Sequence, residues 1–183
     1  MKITILNSNP DAASQTFDRY LAELSNELSS SGHNVAILPL RELDIKFCTG
    51  CFGCWIETPG ECVVKDDSAS VCRQMINSDL VLWASPIIMG FPSALLKKMV
   101  DKSICLIHPY FSIVKGEYHH KARYNHYPLC GVIWEMSGNT ENRDIQIVND
   151  IFNRTALNFK SQLVLTSTTV DPVKEVADEI NRL

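Results

Sequence analysis

Short apolar runs that lack alternating polar residues constrain the fold of this 183-residue chain more than any other feature. The clearest run is Leu80-Val81-Leu82-Trp83. A strand with apolar side chains on both faces is typical of a parallel sheet that is covered on both sides. We predict strands at residues 2–6, 35–38, 79–84, 129–134 and 163–166.

Helical periodicity lies between these runs, as in residues 14–31, where apolar side chains recur three and four positions apart. The pattern predicts further helices at 66–77, 92–107 and 139–159, and a last one that Asp171-Pro172 would begin. Alternating strands and helices with right-handed crossovers predict an α/β, flavodoxin-like doubly wound sheet of five parallel strands, order 2-1-3-4-5.

Length and composition complete this prediction. We expect a single flavodoxin-like domain over residues 1–183, with a cysteine-rich loop at about 47–65 and a long connection without clear periodicity at about 108–128. A net charge of −4 and scattered Lys and Arg argue against a nucleic-acid partner. No apolar stretch approaches membrane-spanning length, so we expect a cytoplasmic protein without a membrane partner.

In a sheet of this kind, ligands bind at the carboxyl ends of the strands. The first loop there, residues 7–16, combines hydroxyl and amide side chains with the N-terminus of a helix, and this combination suits a phosphate. The polar side chains in question are Ser8, Asn9, Ser14, Gln15 and Thr16. The alternative is an ordinary turn in which Ser14 only caps the helix. The loop contains no Lys or Arg, so a phosphate there would depend on amides, hydroxyls and the helix dipole.

The second loop follows the third predicted strand and is apolar, which suits a flat aromatic ring lying against backbone. It comprises Pro86, Ile87, Ile88, Met89 and Gly90. Taken alone, it would be interpreted as a plain strand-to-helix turn. A third loop, residues 135–140, is small and polar. Three such loops at one edge of a sheet fit flavin mononucleotide (FMN) better than any single loop does.

Four cysteines form a separate cluster with the spacing C-x2-C-x2-C-x7-C. They are Cys48, Cys51, Cys54 and Cys62. Thiols this close in sequence can share a metal or cluster, exchange a disulfide or simply pack. Structural zinc sites usually pair two C-x2-C units across a longer gap, so zinc is less typical of this spacing. The remaining cysteines, Cys72, Cys105 and Cys130, have apolar neighbours and are interpreted as buried small hydrophobic residues.

At these residues the chain resembles the NAD(P)H-dependent FMN reductases of the flavodoxin-like superfamily, and in particular the iron–sulfur flavoprotein branch. The matching parts are loop 7–16, the cysteine segment with Asp66-Asp67, and residues 85–90 followed by 96–101. The resemblance implies that the first loop holds the FMN phosphate and that the second lies along the flavin ring. It also implies that Cys48, Cys51, Cys54 and Cys62 could ligate a [4Fe-4S] cluster.

The function that this resemblance implies is an FMN-dependent oxidoreductase. Such a protein takes hydride from NAD(P)H and passes electrons to a quinone, flavin, nitro, azo or protein acceptor. For this chain we expect a homodimer or homotetramer. The alternatives are an electron carrier with FMN and a [4Fe-4S] cluster, or a regulatory module whose cysteines hold zinc or sense redox state. No side chain is assigned as a catalytic acid or base.

The long connection carries His119, His120 and Arg123. These side chains could contact the phosphates of the nicotinamide cofactor or the substrate, and the segment could form a lid or a subunit contact. A solvated loop is the alternative interpretation.

Overall fold

The computed structural model describes residues 1–136, 138 and 140–183. The strands in these residues are β1 Lys2–Asn7, β2 Asn34–Pro39, β3 Leu80–Ile88, β4 Phe91–Pro92, β5 Ile107–Val114, β6 Glu117–Ala122, β7 Leu129–Glu135 and β8 Leu163–Thr168. The helices are α1 Gln15–Ser30, α2 Gly53–Ile56, α3 Ser68–Ile76, α4 Ala94–Lys102, α5 Asn142–Asn158 and α6 Val173–Ile180, with 3₁₀ turns at Leu40–Glu42 and Ser103–Leu106. In this part of the chain, no helix is long and apolar enough to span a bilayer.

The main sheet has the strand order β2-β1-β3-β7-β8, and all of these strands run parallel. Among the strands of this parallel sheet, β7 and β8 are the fourth and fifth along the chain. The predicted flavodoxin-like order 2-1-3-4-5 is therefore confirmed. The first strand lies between its two neighbours, with Ile5 opposite both Ile37 and Leu82.

Helices cover both faces of this sheet, which explains the apolar runs without alternation. On β3, Leu80 and Leu82 belong to the core under α1 and α6, while Val81 and Trp83 belong to the core under α3, α4 and α5. Because successive side chains of a strand point to opposite faces, both sets must be apolar.

The third strand is longer than the sequence predicts. It does not end at Ala84, but continues to Ile88 and then pairs antiparallel with β4. Pro86 looks like a strand breaker in the sequence. Here it lies at the carboxyl end of the strand, opposite Glu135, where the sheet is about to end.

The connection at about 108–128 contains a two-stranded antiparallel hairpin, β5–β6. Its tight turn is formed by Lys115 and Gly116, which both have positive φ, as a type I′ turn requires. Near the C-terminus, α6 begins at Val173. Asp171 does not cap this helix: its carboxylate instead accepts hydrogen bonds from the Thr168 N–H and the Ser167 hydroxyl.

The close packing of β3, β7 and β8 at Gly131 gives a test of this core. A Cβ atom at Gly131 would lie 2.7 Å from Leu82 Cδ2 and 3.0 Å from Leu165 Cβ. We expect Gly131→Ala to lower the free energy of unfolding by about 1–3 kcal/mol, measured by urea denaturation. Gly138→Ala is the matched control, since no atom lies within 4 Å of its added methyl group. Equal stability of the two variants would contradict the packing.

Candidate functional site

The N-terminus of α1 lacks a side-chain cap from its N-cap residue. Ser14 is the N-cap residue, but its side chain makes no capping hydrogen bond. The side chains of Gln15 and Thr16 are exposed beside it. The alternative in which Ser14 only caps the helix therefore lacks its defining bond. The first turn of a helix without a side-chain cap can bind an anion through its own N–H groups and dipole.

Two of the predicted residues shape the first loop from within. The Ser8 hydroxyl is buried and donates to the carbonyl of Ala84 at 2.7 Å. The buried Asn9 amide donates to the carbonyl of Ser14 at 2.9 Å, and its oxygen accepts from the Asp11 N–H at 3.0 Å. These bonds fold residues 8–14 into a fixed turn in front of α1.

A cation lies next to this loop although the loop itself contains none. Arg41, from the 3₁₀ turn after β2, forms an ion pair with Asp18 at 2.8 Å and donates to the carbonyl of Asn9 at 3.4 Å. Burial would raise the pKa of Asp18, but hydrogen bonds from Arg41, Asn7 and Asn9 hold it below its ordinary value. The sequence does not reveal Arg41 as a neighbour of this loop, because it lies more than 20 residues away and no local motif marks it.

The second loop is the tip of the β3–β4 hairpin. Met89 and Gly90 have φ values of 52° and 80°, so the two residues form a tight turn of the type I′ class. Ile88 is 45% exposed and Met89 95% exposed, whereas the side chain of Ile87 is fully buried. A Cβ atom at Gly90 would lie 3.1 Å from a carboxylate oxygen of Asp144, so this turn closely approaches the start of α5.

Ser93 joins the first and second loops. Its hydroxyl donates to the carbonyl of Ser8 at 2.7 Å, and its N–H donates to the hydroxyl of Ser85 at 2.8 Å. The Ser8 N–H also donates to the carbonyl of Ala84 at 2.9 Å. The polar loop and the apolar hairpin are therefore direct neighbours at one edge of the sheet, as the sequence predicts for a nucleotide site.

The third loop is described only in part, because Ser137 and Asn139 lie outside the described residues. Glu135, at the end of β7, is half-buried, and burial followed by the nearby charge of Asp18 raises its pKa. Trp134 belongs to the core, where it donates to the side chain of Asn149.

The four clustered cysteines line one small cavity of about 50 Å³, together with Lys102 and Ile104 among others. Cys48 and Cys51 are exposed, while Cys54 and Cys62 are half-buried. Burial raises the pKa of Cys54 to about 11. Four thiols around one cavity are a suitable donor set for an iron–sulfur cluster. In the described part of the chain, however, no three Cys, His, Asp or Glu side chains converge as metal ligands.

A buried ion pair anchors this segment. The Lys102 ammonium lies 2.9 Å from the Asp66 carboxylate and donates to Cys62 Sγ at 3.2 Å. The exposed fractions of the two charged side chains are 1% and 0%. Burial acts to lower the pKa of Lys102, but the hydrogen bonds to Asp66 and Cys62 hold it above its ordinary value.

The β5–β6 hairpin packs against the cysteine segment. The indole of Trp55 donates to the carbonyl of Ile107 at 2.9 Å and contacts the ring of His120 in a tilted arrangement, with centroids 5.2 Å apart. His119 is buried beside Glu117, at 3.2 Å, and Arg123 is half-buried. His119, His120 and Arg123 thus belong to the β5–β6 hairpin and the residue just after it, and not to the loops at 7–16 and 86–90.

Comparison with known proteins places the chain in a family. Residues 1–124 match the NADPH-dependent FMN reductase family, and this match covers about two thirds of the chain. The chain belongs to this family of flavin oxidoreductases, whose members use FMN with NAD(P)H.

Individual relatives agree with this assignment. An iron-sulfur flavoprotein of Archaeoglobus fulgidus is 29% identical over 103 residues, which are 56% of this chain and 49% of that protein. The chain thus matches about half the length of that relative. Among solved structures, an azoreductase from Bacillus anthracis has a TM-score of 0.70 at 12% identity, with 100% of both chains covered. An NAD(P)H:quinone oxidoreductase from Methanothermobacter marburgensis has a TM-score of 0.66 at 15% identity, covering 99% of this chain and 93% of its own. These two structures share the fold.

The buried ion pair predicts acid sensitivity. Burial would raise the pKa of Asp66, but its hydrogen bonds with Ser68, Lys102 and Lys46 lower it from 3.8 to about 2. A carboxyl whose pKa is lowered by folding stabilises the protein above its unfolded pKa, and this contribution disappears as the pH falls through the folded pKa. We expect Asp66→Asn to cost about 2 kcal/mol at pH 7, since one pKa unit corresponds to about 1.4 kcal/mol.

Urea denaturation should show the difference in free energy of unfolding between the wild type and Asp66→Asn shrinking as the pH falls from 3.8 towards about 2. Asp101→Asn is the control, because its carboxylate pairs with Lys97 on an exposed helix face and should contribute less than about 0.5 kcal/mol. A stability difference at pH 7 no larger than that of the control would contradict the role of the pair.

Proposed function

We propose that this protein is an FMN-dependent oxidoreductase that oxidises NAD(P)H and reduces a small acceptor such as a quinone, a free flavin, or a nitro or azo compound. The observation that carries the proposal is the link through Ser93, which joins Ser8, in the loop that leads to the uncapped start of α1, to Ser85, on the strand that leads to the β3–β4 hairpin. When bound, FMN supplies the ring that accepts hydride.

At the phosphate end of the proposed site, the contacts come from Ser14, Gln15, Thr16 and the first N–H groups of α1. Ser8 and Asn9 act indirectly, because their side chains already bond to the loop itself. These bonds thus hold the turn that leads to the helix N-terminus.

At the ring end, Pro86, Ile88, Met89 and Gly90 flank the flavin through backbone and exposed apolar atoms. Ile87 contributes its backbone only, since its side chain is fully buried in the core. The exposed side chains of Ile88, Met89 and Phe91 would also meet a flat, apolar acceptor. A quinone or azo compound has this chemistry, and two of the fold neighbours are named for activities of this kind.

A second candidate function is an electron carrier that holds FMN and a [4Fe-4S] cluster. It is favoured by the four thiols around one cavity and by the relatives named iron-sulfur flavoproteins. The ligands would be Cys48, Cys51, Cys54 and Cys62, and a cluster would add one-electron chemistry. Iron and sulfide analysis of anaerobically purified protein separates the two candidates, and protein without iron would remove this one.

The principal test is whether the purified protein binds FMN and then oxidises NADPH or NADH. Flavin absorbance, FMN binding at micromolar concentration and acceptor-dependent NAD(P)H oxidation would support the proposal. Protein that shows no flavin band and does not bind added FMN would contradict it.

The phosphate contact can be tested with a matched pair of charge changes. We expect Gln15→Glu, at the start of α1, to weaken FMN binding about fivefold, since a carboxylate near the bound dianion should cost about 1 kcal/mol. Riboflavin, which lacks the phosphate, should bind the variant and the wild type equally. Flavin fluorescence titration measures both affinities.

Gln162→Glu is the control, because it adds the same charge at the opposite edge of the sheet, where the Gln162 carbonyl accepts from Cys130 N–H at the start of β7. Its affinity for FMN should match that of wild type. An equal loss of FMN affinity in both variants, or an equal loss for riboflavin, would show that the phosphate does not lie at α1.

A further inference from the structure

Two cysteines outside the clustered segment face each other in the core. Cys72 lies on α3 and Cys105 lies in the 3₁₀ turn after α4, and their sulfur atoms are 3.8 Å apart. Their exposed fractions are 4% and 2%. The sulfur atoms would need to approach by only about 1.8 Å to reach the length of a disulfide bond.

A positive charge lies near this pair. Arg123 is half-buried and, within the described residues, no carboxylate lies within ion-pair distance of its guanidinium. Its Nε is buried and has no hydrogen-bond partner among the described atoms, while Nη2 donates a long bond of 3.4 Å to the carbonyl of Ile107. A cation without a carboxylate partner favours the anionic form of a nearby thiol, and thiolates are the nucleophiles of redox chemistry.

A small cavity of about 30 Å³ reaches both sulfur-bearing residues. Its lining includes Cys72 and Cys105, together with Gly60, Cys62 and the partly exposed Tyr124. A cavity needs about 10–15 Å³ to hold one water molecule, so this one has room for a molecule the size of hydrogen peroxide. It has no room for a bulky oxidant such as a second protein's disulfide.

We propose that Cys72 and Cys105 form a redox-active dithiol that hydrogen peroxide oxidises to a disulfide, independently of any flavin or metal. Of the two, Cys105 is the attacking residue, because the Arg123 guanidinium bonds to the carbonyl of Ile107, two residues after Cys105 in the chain, and Cys72 is the resolving thiol. The oxidised form would link α3 covalently to the turn after α4.

The chemistry balances in two steps. The Cys105 thiolate attacks one oxygen of the peroxide, the O–O bond breaks, and the departing hydroxide takes a proton to become water, which leaves a sulfenic acid. The Cys72 sulfur then displaces the sulfenic hydroxyl, the S–O bond breaks, and the thiol proton completes the second water. Two thiols lose two electrons and one peroxide gains them.

The protonation of the pair agrees with these roles. The hydrogen bond between the two sulfur atoms lowers the pKa of Cys105, and the charge of Arg123 acts in the same direction against the effect of burial. The hydrogen bond and burial raise the pKa of Cys72. Of the two sulfur atoms, that of Cys105 is thus the better thiolate nucleophile, and Cys72 stays a protonated thiol.

Trypsin separates the seven cysteines in a way that makes the test direct. Cleavage after Lys and Arg places the four clustered cysteines in residues 47–65, Cys72 in 66–73, Cys105 in 103–115 and Cys130 in 124–143. The folded, full-length protein is treated with hydrogen peroxide, remaining thiols are alkylated in denaturant, and the digest is mapped by mass spectrometry without reductant.

We expect peptides 66–73 and 103–115 to appear linked, with a mass two hydrogen atoms below their sum, and to separate after treatment with dithiothreitol. Cys130 is the internal control, since it is equally buried but its sulfur bonds to the carbonyl of Pro128, so it should remain alkylated. Links from either cysteine to peptide 47–65 as the main product would overturn the pairing. A map in which Cys72 and Cys105 both stay alkylated while peptide 47–65 is oxidised would also overturn the pairing.

Two variants separate the roles. Cys72→Ala should abolish the linked peptide and leave Cys105 as a sulfenic acid that dimedone traps, because the resolving thiol is gone. Arg123→Gln should form the linked peptide more slowly than wild type at the same peroxide concentration. Should Cys72→Ala fail to fold, the wild-type map still decides the proposal. Dimedone labelling of Cys72 rather than Cys105 in the wild type would overturn the assigned roles.

Discussion

The candidate site depends on one hydroxyl group, that of Ser93. It bonds to the carbonyl of Ser8 while the adjacent N–H bonds to the hydroxyl of Ser85, so the turns after β1 and β3 are held against each other. A parallel sheet places the carboxyl ends of neighbouring strands at the same edge, but it does not fix how the loops beyond them meet. Three buried serines fix it here, and the flavin site that we propose depends on this junction.

The fold was largely predictable because burial leaves a strong trace in sequence. β3 lies between two helical layers, so Leu80 to Trp83 had to be apolar throughout, and this run by itself indicates a parallel sheet. The β5–β6 hairpin was not predicted. Its outward side chains include Tyr110, Phe111 and Ile113, which are exposed, so its strands lack the alternation of polar and apolar residues that marks a strand with one solvent face.

The candidate site was predictable only where its residues are adjacent in the chain. Loop 7–16 is continuous and was identified, but its neighbour Arg41 comes from the turn after β2. The contacts of Lys102 with Cys62 and of Cys72 with Cys105 likewise join residues that are distant in the chain, 40 and 33 positions apart. Tertiary contacts of this kind leave no periodic pattern, so a single sequence does not reveal them.

The position of α4 has a consequence for both candidate redox sites. Its first turn follows Ser93, at the proposed flavin site, and its last residue is Lys102, which holds Cys62 in the cysteine segment. Nine helical residues rise about 13 Å, and a helix resists compression along its axis. The spacing between the two regions is thus set by a rigid rod and not by flexible loops, so mutations that lengthen or shorten surface loops should leave it unchanged.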